Sequence, residues 1–135
     1  MQEITVGARI ENVSVVTEMV DAFMEECMCP LKVQMQIDVA IDELFSNIAY
    51  YAYKPEVGPA TVRVEVQQDP LAVIISFIDK GVPYDPLANE DPDVSLTAEE
   101  RGIGGLGIYM VKKSMDDVNY EYKDGQNILT IKKNI

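Results

Sequence analysis

Glu43 and Asn47 stand four residues apart in 37-IDVAIDELFSNIAYYAY-53, a stretch that reads as one amphipathic helix. Its apolar stripe runs Ile37, Ile41, Leu44 and Ile48. At ~100° per residue, both polar side chains fall on one flank of that stripe, where a core meets a cavity. A carboxylate and a carboxamide so placed can hold a metal ion and a reacting proton side by side. Glu and Asn are also common on solvated helix faces, so the pair gains a chemical role only from its surroundings.

A second candidate lies in 102-GIGGLG-107, where Gly102, Gly104 and Gly107 fit the dinucleotide fingerprint G-x-G-x-x-G. That fingerprint needs a strand immediately before it and an acidic residue about 20 positions later. Here an acidic, proline-rich segment precedes it and a hairpin pattern follows, so the Rossmann reading fails on context. The local physics survives: glycines let backbone amides approach an anion, and the apolar helix that follows offers N-terminal N–H groups and a positive dipole end. Phosphate binding and a plain flexible hinge are the two readings of the segment. Arg101, just upstream, is placed either to reach a terminal phosphate or to be solvated.

The third candidate is Asp79, which closes the apolar run 71-LAVIISFID-79 and is followed by Lys80 and Gly81. An Asp at the end of a buried strand can accept a hydrogen bond from an exocyclic amine, and Gly81 leaves room for a flat base against the backbone. In isolation D-x-G is only a turn signal.

The elements that must position these residues follow from hydrophobic period. Residues 2–10 alternate as a strand, with Ile4, Val6, Ala8 and Ile10 on one face. Asn12 is set to cap a helix carrying Val13, Val16, Val20, Phe23 and Cys27. After Pro30 comes the Glu43–Asn47 helix, ending near Tyr53. The runs 60–67 and 71–79 form a hairpin around Gln68-Asp69-Pro70. A helix resumes around Leu106 to Met115, and 118–122 with 127–133 make a second hairpin around Asp124-Gly125. Between them, Lys80 to Gly105 has little apolar periodicity and reads as a functional lid, spanning 83–104, or a partly disordered loop. Strands and helices do not alternate regularly, so the expected class is α+β: a two-layer sandwich with helices on one face of a mixed, mostly antiparallel sheet.

The 135 residues fit one domain over 1–135 with a core that needs no staples. A net charge of −12 repels a phosphate backbone and argues against nucleic-acid binding. No apolar run approaches the ~20 residues of a membrane span, and no signal-peptide pattern opens the chain, so a cytoplasmic location is expected. Cys27 and Cys29 are too close for a good bridge and read as buried free thiols. With no histidine, Cys/His zinc sites and histidine acid–base catalysis are excluded.

In their order, the E-x-x-x-N helix, the D-x-G after a strand and the lid ending in a glycine-rich helix start resemble the GHKL ATPase superfamily. Its members, among them histidine kinases and gyrase-type ATPases, share the Bergerat fold. The closer likeness is to stand-alone anti-sigma-factor serine/threonine kinases, through Ala8-Arg9, Glu43–Asn47, 79-DKGVPYDP-86 and 100-ERGIGGLGIYMVKKSMDDV-118. The resemblance implies ATP and Mg²⁺ as cofactors. Asn47 matches the Mg²⁺ ligand and Glu43 the proposed general base. Asp79 matches the adenine-reading aspartate and Gly81 the glycine beneath the base. Gly104, Gly105, Leu106 and Gly107 match lid positions that contact phosphates, and Arg101 an arginine that stabilises the transferring phosphoryl group. It also implies a sigma factor and a serine-bearing antagonist protein as partners, and a homodimer.

Three departures stand out. Tyr51 occupies a position where many relatives carry histidine, the lid is longer near its glycines, and Gly125-Gln126-Asn127 replaces a Gly-Thr before the last strand. The competing readings are a catalytically silent ATP-binding interaction module and the ATPase domain of a split histidine kinase. The intact Glu43 weighs against the first, and the lack of a phosphoacceptor histidine against the second.

Overall fold

Period-two alternation of β-branched residues makes the sheet, and the register of its central strand places the candidate residues. The computed structural model describes residues 1–88 and 106–135. Among them, five strands, β1 (Gln2–Gly7), β2 (Pro59–Gln67), β3 (Ala72–Asp79), β4 (Asp117–Lys123) and β5 (Gln126–Asn134), lie in the order β1-β2-β3-β5-β4. All four neighbouring pairs are antiparallel. Among the described residues, three α-helices, α1 (Val13–Glu26), α2 (Leu31–Tyr51) and α3 (Leu106–Ser114), supply the other layer. The architecture is the expected α+β sandwich, and no parallel pair occurs among the described residues.

In β3, Val73, Ile75, Phe77 and Asp79 are buried, while Ile74, Ser76 and Ile78 between them are only partly covered. Asp79 thus ends the row that faces the helices. The β3–β5 register sets Asn127 directly opposite it, at the head of the buried row Asn127, Leu129, Ile131. That register is held by the β4–β5 turn, where Asp124 (φ 55°) and Gly125 (φ 76°) adopt the paired positive φ of a two-residue hairpin loop. A one-residue slip there would turn Asn127 to the opposite face.

The helices bury the stripes their spacing dictates. In α1 these are Val16, Val20 and Met24; in α2 they are Val33, Ile37, Ala40, Ile41, Leu44 and Phe45. Lys133 closes the end of α3 by donating from Nζ to the Ser114 carbonyl at 2.8 Å, a favourable place for a cation.

Three details differ from the sequence reading. β1 ends at Gly7, because the Arg9 N–H turns back to the Gly7 carbonyl (2.8 Å) and Ile10–Asn12 wind into a 3₁₀ turn that leaves Ile10 exposed. Asn12 does precede α1 but makes no side-chain cap; its Nδ2 donates instead to the Gly7 carbonyl at 2.8 Å. Both cysteines are free thiols, but only Cys29 is buried. Cys27 is exposed because α1 stops at Glu26 and the chain reverses through Met28 (φ 59°).

Where α1 meets α2, Asp38 is pushed up from 3.8 to about 7, first by burial, then by a hydrogen bond shared with Asp21 and by that residue's charge. Asp38 therefore carries a proton in the folded state where the unfolded chain has released it. Its contribution to stability is fully present below pH 3.8 and is lost as pH rises through about 7. Asp38→Asn, which mimics the protonated acid, should flatten the dependence of stability between about pH 4 and 8. Urea midpoints across that range test this. A variant as pH-dependent as the parent would exclude Asp38 as the source.

Candidate functional site

A cleft opens between α2 and the adjoining ends of β3 and β5. Leu44, Ile48, Phe77 and Leu129 give it apolar walls, and Asn47, Asp79, Tyr84, Tyr120 and Asn127 supply its polar groups. Apolar walls with a few fixed polar groups suit a flat heteroaromatic ring.

Asp79 is 6% exposed, and its Oδ1 accepts two hydrogen bonds, from the Gly81 N–H at 2.8 Å and from Asn127 Nδ2 at 3.0 Å. Among the described residues, no hydrogen bond is made to Oδ2. One carboxylate oxygen is thus fixed by the protein, and the other remains an acceptor for a ligand.

Gly81 has a structural reason of its own. A Cβ there would overlap the carbonyl oxygen of Ala52 and lie 2.6 Å from its carbonyl carbon. The chain leaving β3 thus presses on the backbone just past α2, where Val82 N donates to the Ala52 carbonyl at 3.1 Å. Tyr53 ties the same corner, donating from its hydroxyl to the Pro59 carbonyl (2.6 Å) and accepting from the Lys80 N–H (2.7 Å). Because the obstacle is backbone, Gly81→Ala should cost about 1–3 kcal/mol of stability and shift the chain beside Asp79. Chemical denaturation measures the loss, and a variant of parental stability would contradict the close approach.

Glu43 and Asn47 occupy one flank of α2 as their spacing requires. Asn47 lines the cleft. Glu43 stands one turn earlier, against the start of α3: a Cβ on Gly107 would overlap its carboxylate. Burial, and secondarily the charge of Asp42, raise the Glu43 carboxyl above the ordinary range. That is the direction a general base needs for work near neutral pH. Asn47 and Asp79 thus line one cleft, Gly81 is bonded to Asp79 without itself lining it, and Glu43 meets Gly107 one helical turn from Asn47. Tyr51, at the histidine position, lines the cleft with its ring largely exposed and tilted beside Tyr50.

Arg101, Gly104 and Gly105 lie outside the described residues, as do most of the lid 83–104 and the side chain of Leu106.

Sequence reasoning met Asn127 only as part of the Gly125-Gln126-Asn127 departure and gave it no role. Its Nδ2 donates to Asp79 Oδ1, to the Val82 carbonyl (2.9 Å) and more weakly to the Gly81 carbonyl (3.4 Å). Its Oδ1 accepts from the Tyr84 N–H (3.1 Å) and the Tyr120 hydroxyl (2.5 Å). The available signal was an amide at the head of the apolar row Asn127, Leu129, Ile131, where period two predicts a buried residue.

The family described as histidine kinase-like ATPase domain matches residues 6–133, nearly the whole chain. The chain belongs to that family. Among relatives of this histidine kinase-like ATPase domain, serine/threonine-protein kinase BtrW of Bordetella bronchiseptica is 26% identical over 100 residues. That alignment covers 74% of this chain and 70% of BtrW. Serine-protein kinase RsbW of Bacillus cereus is 30% identical over 98 residues, covering 70% of this chain and 60% of RsbW. RsbW of Listeria monocytogenes is 32% identical over 101 residues, covering 71% and 63%. The chain thus spans less than two thirds of the length of the RsbW relatives it matches.

Proposed function

We propose that this histidine kinase-like ATPase domain is an ATP-dependent protein serine/threonine kinase. It phosphorylates a small antagonist protein and binds a sigma factor as an anti-sigma regulator. The observation that carries the reading is the Glu43 carboxylate held against Gly107 beside the cleft that contains Asp79 and Asn47. A passive nucleotide binder has no use for a carboxylate with a raised pKa at that point. The relatives' names, serine/threonine-protein kinase and serine-protein kinase, support the same activity.

Each residue has a role in this scheme. Asp79 Oδ2 accepts from the exocyclic amine of adenine, and the apolar walls exclude water from the ring faces. Glu43 takes the proton of the acceptor hydroxyl. The N-terminal N–H groups of α3, uncommitted within the helix, face phosphate oxygens. The family resemblance supports a phosphate-contacting role for Arg101, Gly104, Gly105 and Leu106 as well. Among the described residues, no cluster of three acidic, Cys or His side chains is built to hold a metal. A single hard oxygen from Asn47 fits Mg²⁺, which is commonly held by one or two protein groups together with phosphates and water. When bound, Mg²⁺ neutralises phosphate charge; positioning and charge stabilisation supply most of the rate in such transfers. The proposed setting is the bacterial cytoplasm, and the proposed assembly a homodimer. No helix among the described residues is long and apolar enough to cross a membrane.

The test is incubation with γ-labelled ATP, Mg²⁺ and a candidate serine-bearing antagonist protein. Label on serine or threonine is the expected result. Label on histidine would instead indicate a split histidine kinase, and tight ATP binding without transfer a silent module.

A further inference from the structure

The geometry points to Asn127 as a residue that sets base specificity, by holding the plane of the Asp79 carboxylate so that its second oxygen faces the ligand squarely. Its amide orientation is determined by its neighbours. The Tyr84 N–H can only donate, so it must face Oδ1; the Val82 and Gly81 carbonyls can only accept, so they must face Nδ2. The Tyr120 hydroxyl at 2.5 Å adds a second donor on the oxygen side. With both ends committed, the amide cannot flip, and its NH₂ is aimed permanently at Asp79 Oδ1.

That leaves Asp79 with one consequence. Two donors, Asn127 Nδ2 and the Gly81 N–H, engage one oxygen, Oδ1, so the carboxylate plane cannot tilt without weakening both, and a half-turn only exchanges equivalent oxygens. Oδ2 is presented as a pure acceptor. A 6-amino purine offers it a donor, whereas a 6-oxo purine such as hypoxanthine or guanine offers a second acceptor. The same amide bonds Val82 and Tyr84 and so holds the segment after β3 in place. Asn127 is 6% exposed, so water cannot readily substitute for it. It is a positioning residue, and the inference rests on Asp79 being the adenine reader of the proposed kinase.

The experiment is titration of the whole protein with ATP and with ITP, which share the triphosphate and differ at position 6 of the base. Asn127→Ala should weaken ATP binding about tenfold or more while changing ITP little, so that the ATP-over-ITP preference falls by a similar factor. In transfer assays the loss should appear in KM for ATP, with kcat at saturation nearly kept. Asn127→Asp keeps the volume and an oxygen for the Tyr84 N–H and Tyr120 hydroxyl, but sets its second oxygen against Asp79 and two carbonyls. It should lose more preference than the alanine variant. Tyr120→Phe leaves the packing intact and should shift the ratio in the same direction, about threefold, a fraction of the effect of a full hydrogen-bond loss. A merely structural role would weaken both nucleotides equally. An unchanged ATP-to-ITP ratio in Asn127→Ala overturns the inference; if that variant fails to fold by its melting curve, the same ratio in Tyr120→Phe decides. Parental protein that fails to prefer ATP over ITP would instead strike at the reading of Asp79 itself.

Discussion

Glu43→Gln should bind ATP as the parent does and transfer phosphate about 10²–10⁴-fold more slowly. The substitution keeps the shape of a side chain packed against Gly107 and removes only its ability to take a proton. In the parent, burial and the charge of Asp42 raise the Glu43 pKa. The base works deprotonated, so transfer should fall as pH drops through that raised pKa and recover above it. This limb of the profile should lie above the ordinary carboxylate range and be absent in the glutamine variant. Gly107→Ala gives an independent view of the same contact. The new methyl meets the flexible end of Glu43, not backbone, so it should displace the carboxylate and reduce transfer far more than stability. Rates from initial-velocity assays, set beside ATP titrations of the same preparations, separate chemistry from binding. Transfer by Glu43→Gln at the parental rate would remove Glu43 from the mechanism.

Asp79→Asn should weaken ATP binding by about ten- to a hundredfold, the cost of facing buried donors with a donor. Two N–H groups, from Gly81 and Asn127, already point at Oδ1. An asparagine there must turn its oxygen toward them, which aims its NH₂ at the ligand. The adenine amine then meets a donor, and the carbonyl of a 6-oxo purine meets a partner. ITP should therefore lose less than ATP, and the preference should narrow or invert. Calorimetric titration of both nucleotides checks this. Equal losses would mean that Asp79 supports the fold and does not read the base.

The parts of the site legible in the sequence are those set by local period. Helical spacing put Glu43 and Asn47 on one flank of α2 with Ile37, Ile41 and Leu44 buried beside them. Period two put Asp79 at the inner end of β3. Turn chemistry at Asp124-Gly125 announced the second hairpin. What escaped depends on which strands become neighbours. Asn127 matters because β5 inserts between β3 and β4, which sets it opposite Asp79; no local pattern encodes that pairing. Gly81 was read as room for a base, whereas its missing side chain also accommodates the Ala52 carbonyl, a contact made only once α2 docks on the sheet. The end of β1 was overrun because alternation continues through Ala8 and Ile10 while the backbone turns at Arg9. Cys27 sits at a helical core spacing but falls where α1 has already ended.

The most direct measurement is a structure of the protein with Mg²⁺ and a non-hydrolysable ATP analogue. Adenine should lie between Ile48 and Leu129 with its amine on Asp79 Oδ2, the metal should bind the Asn47 side-chain oxygen, and the terminal phosphate should sit on the Glu43–Gly107 side of the cleft. A nucleotide bound with its base away from Asp79, or with its terminal phosphate remote from Glu43, would contradict the account.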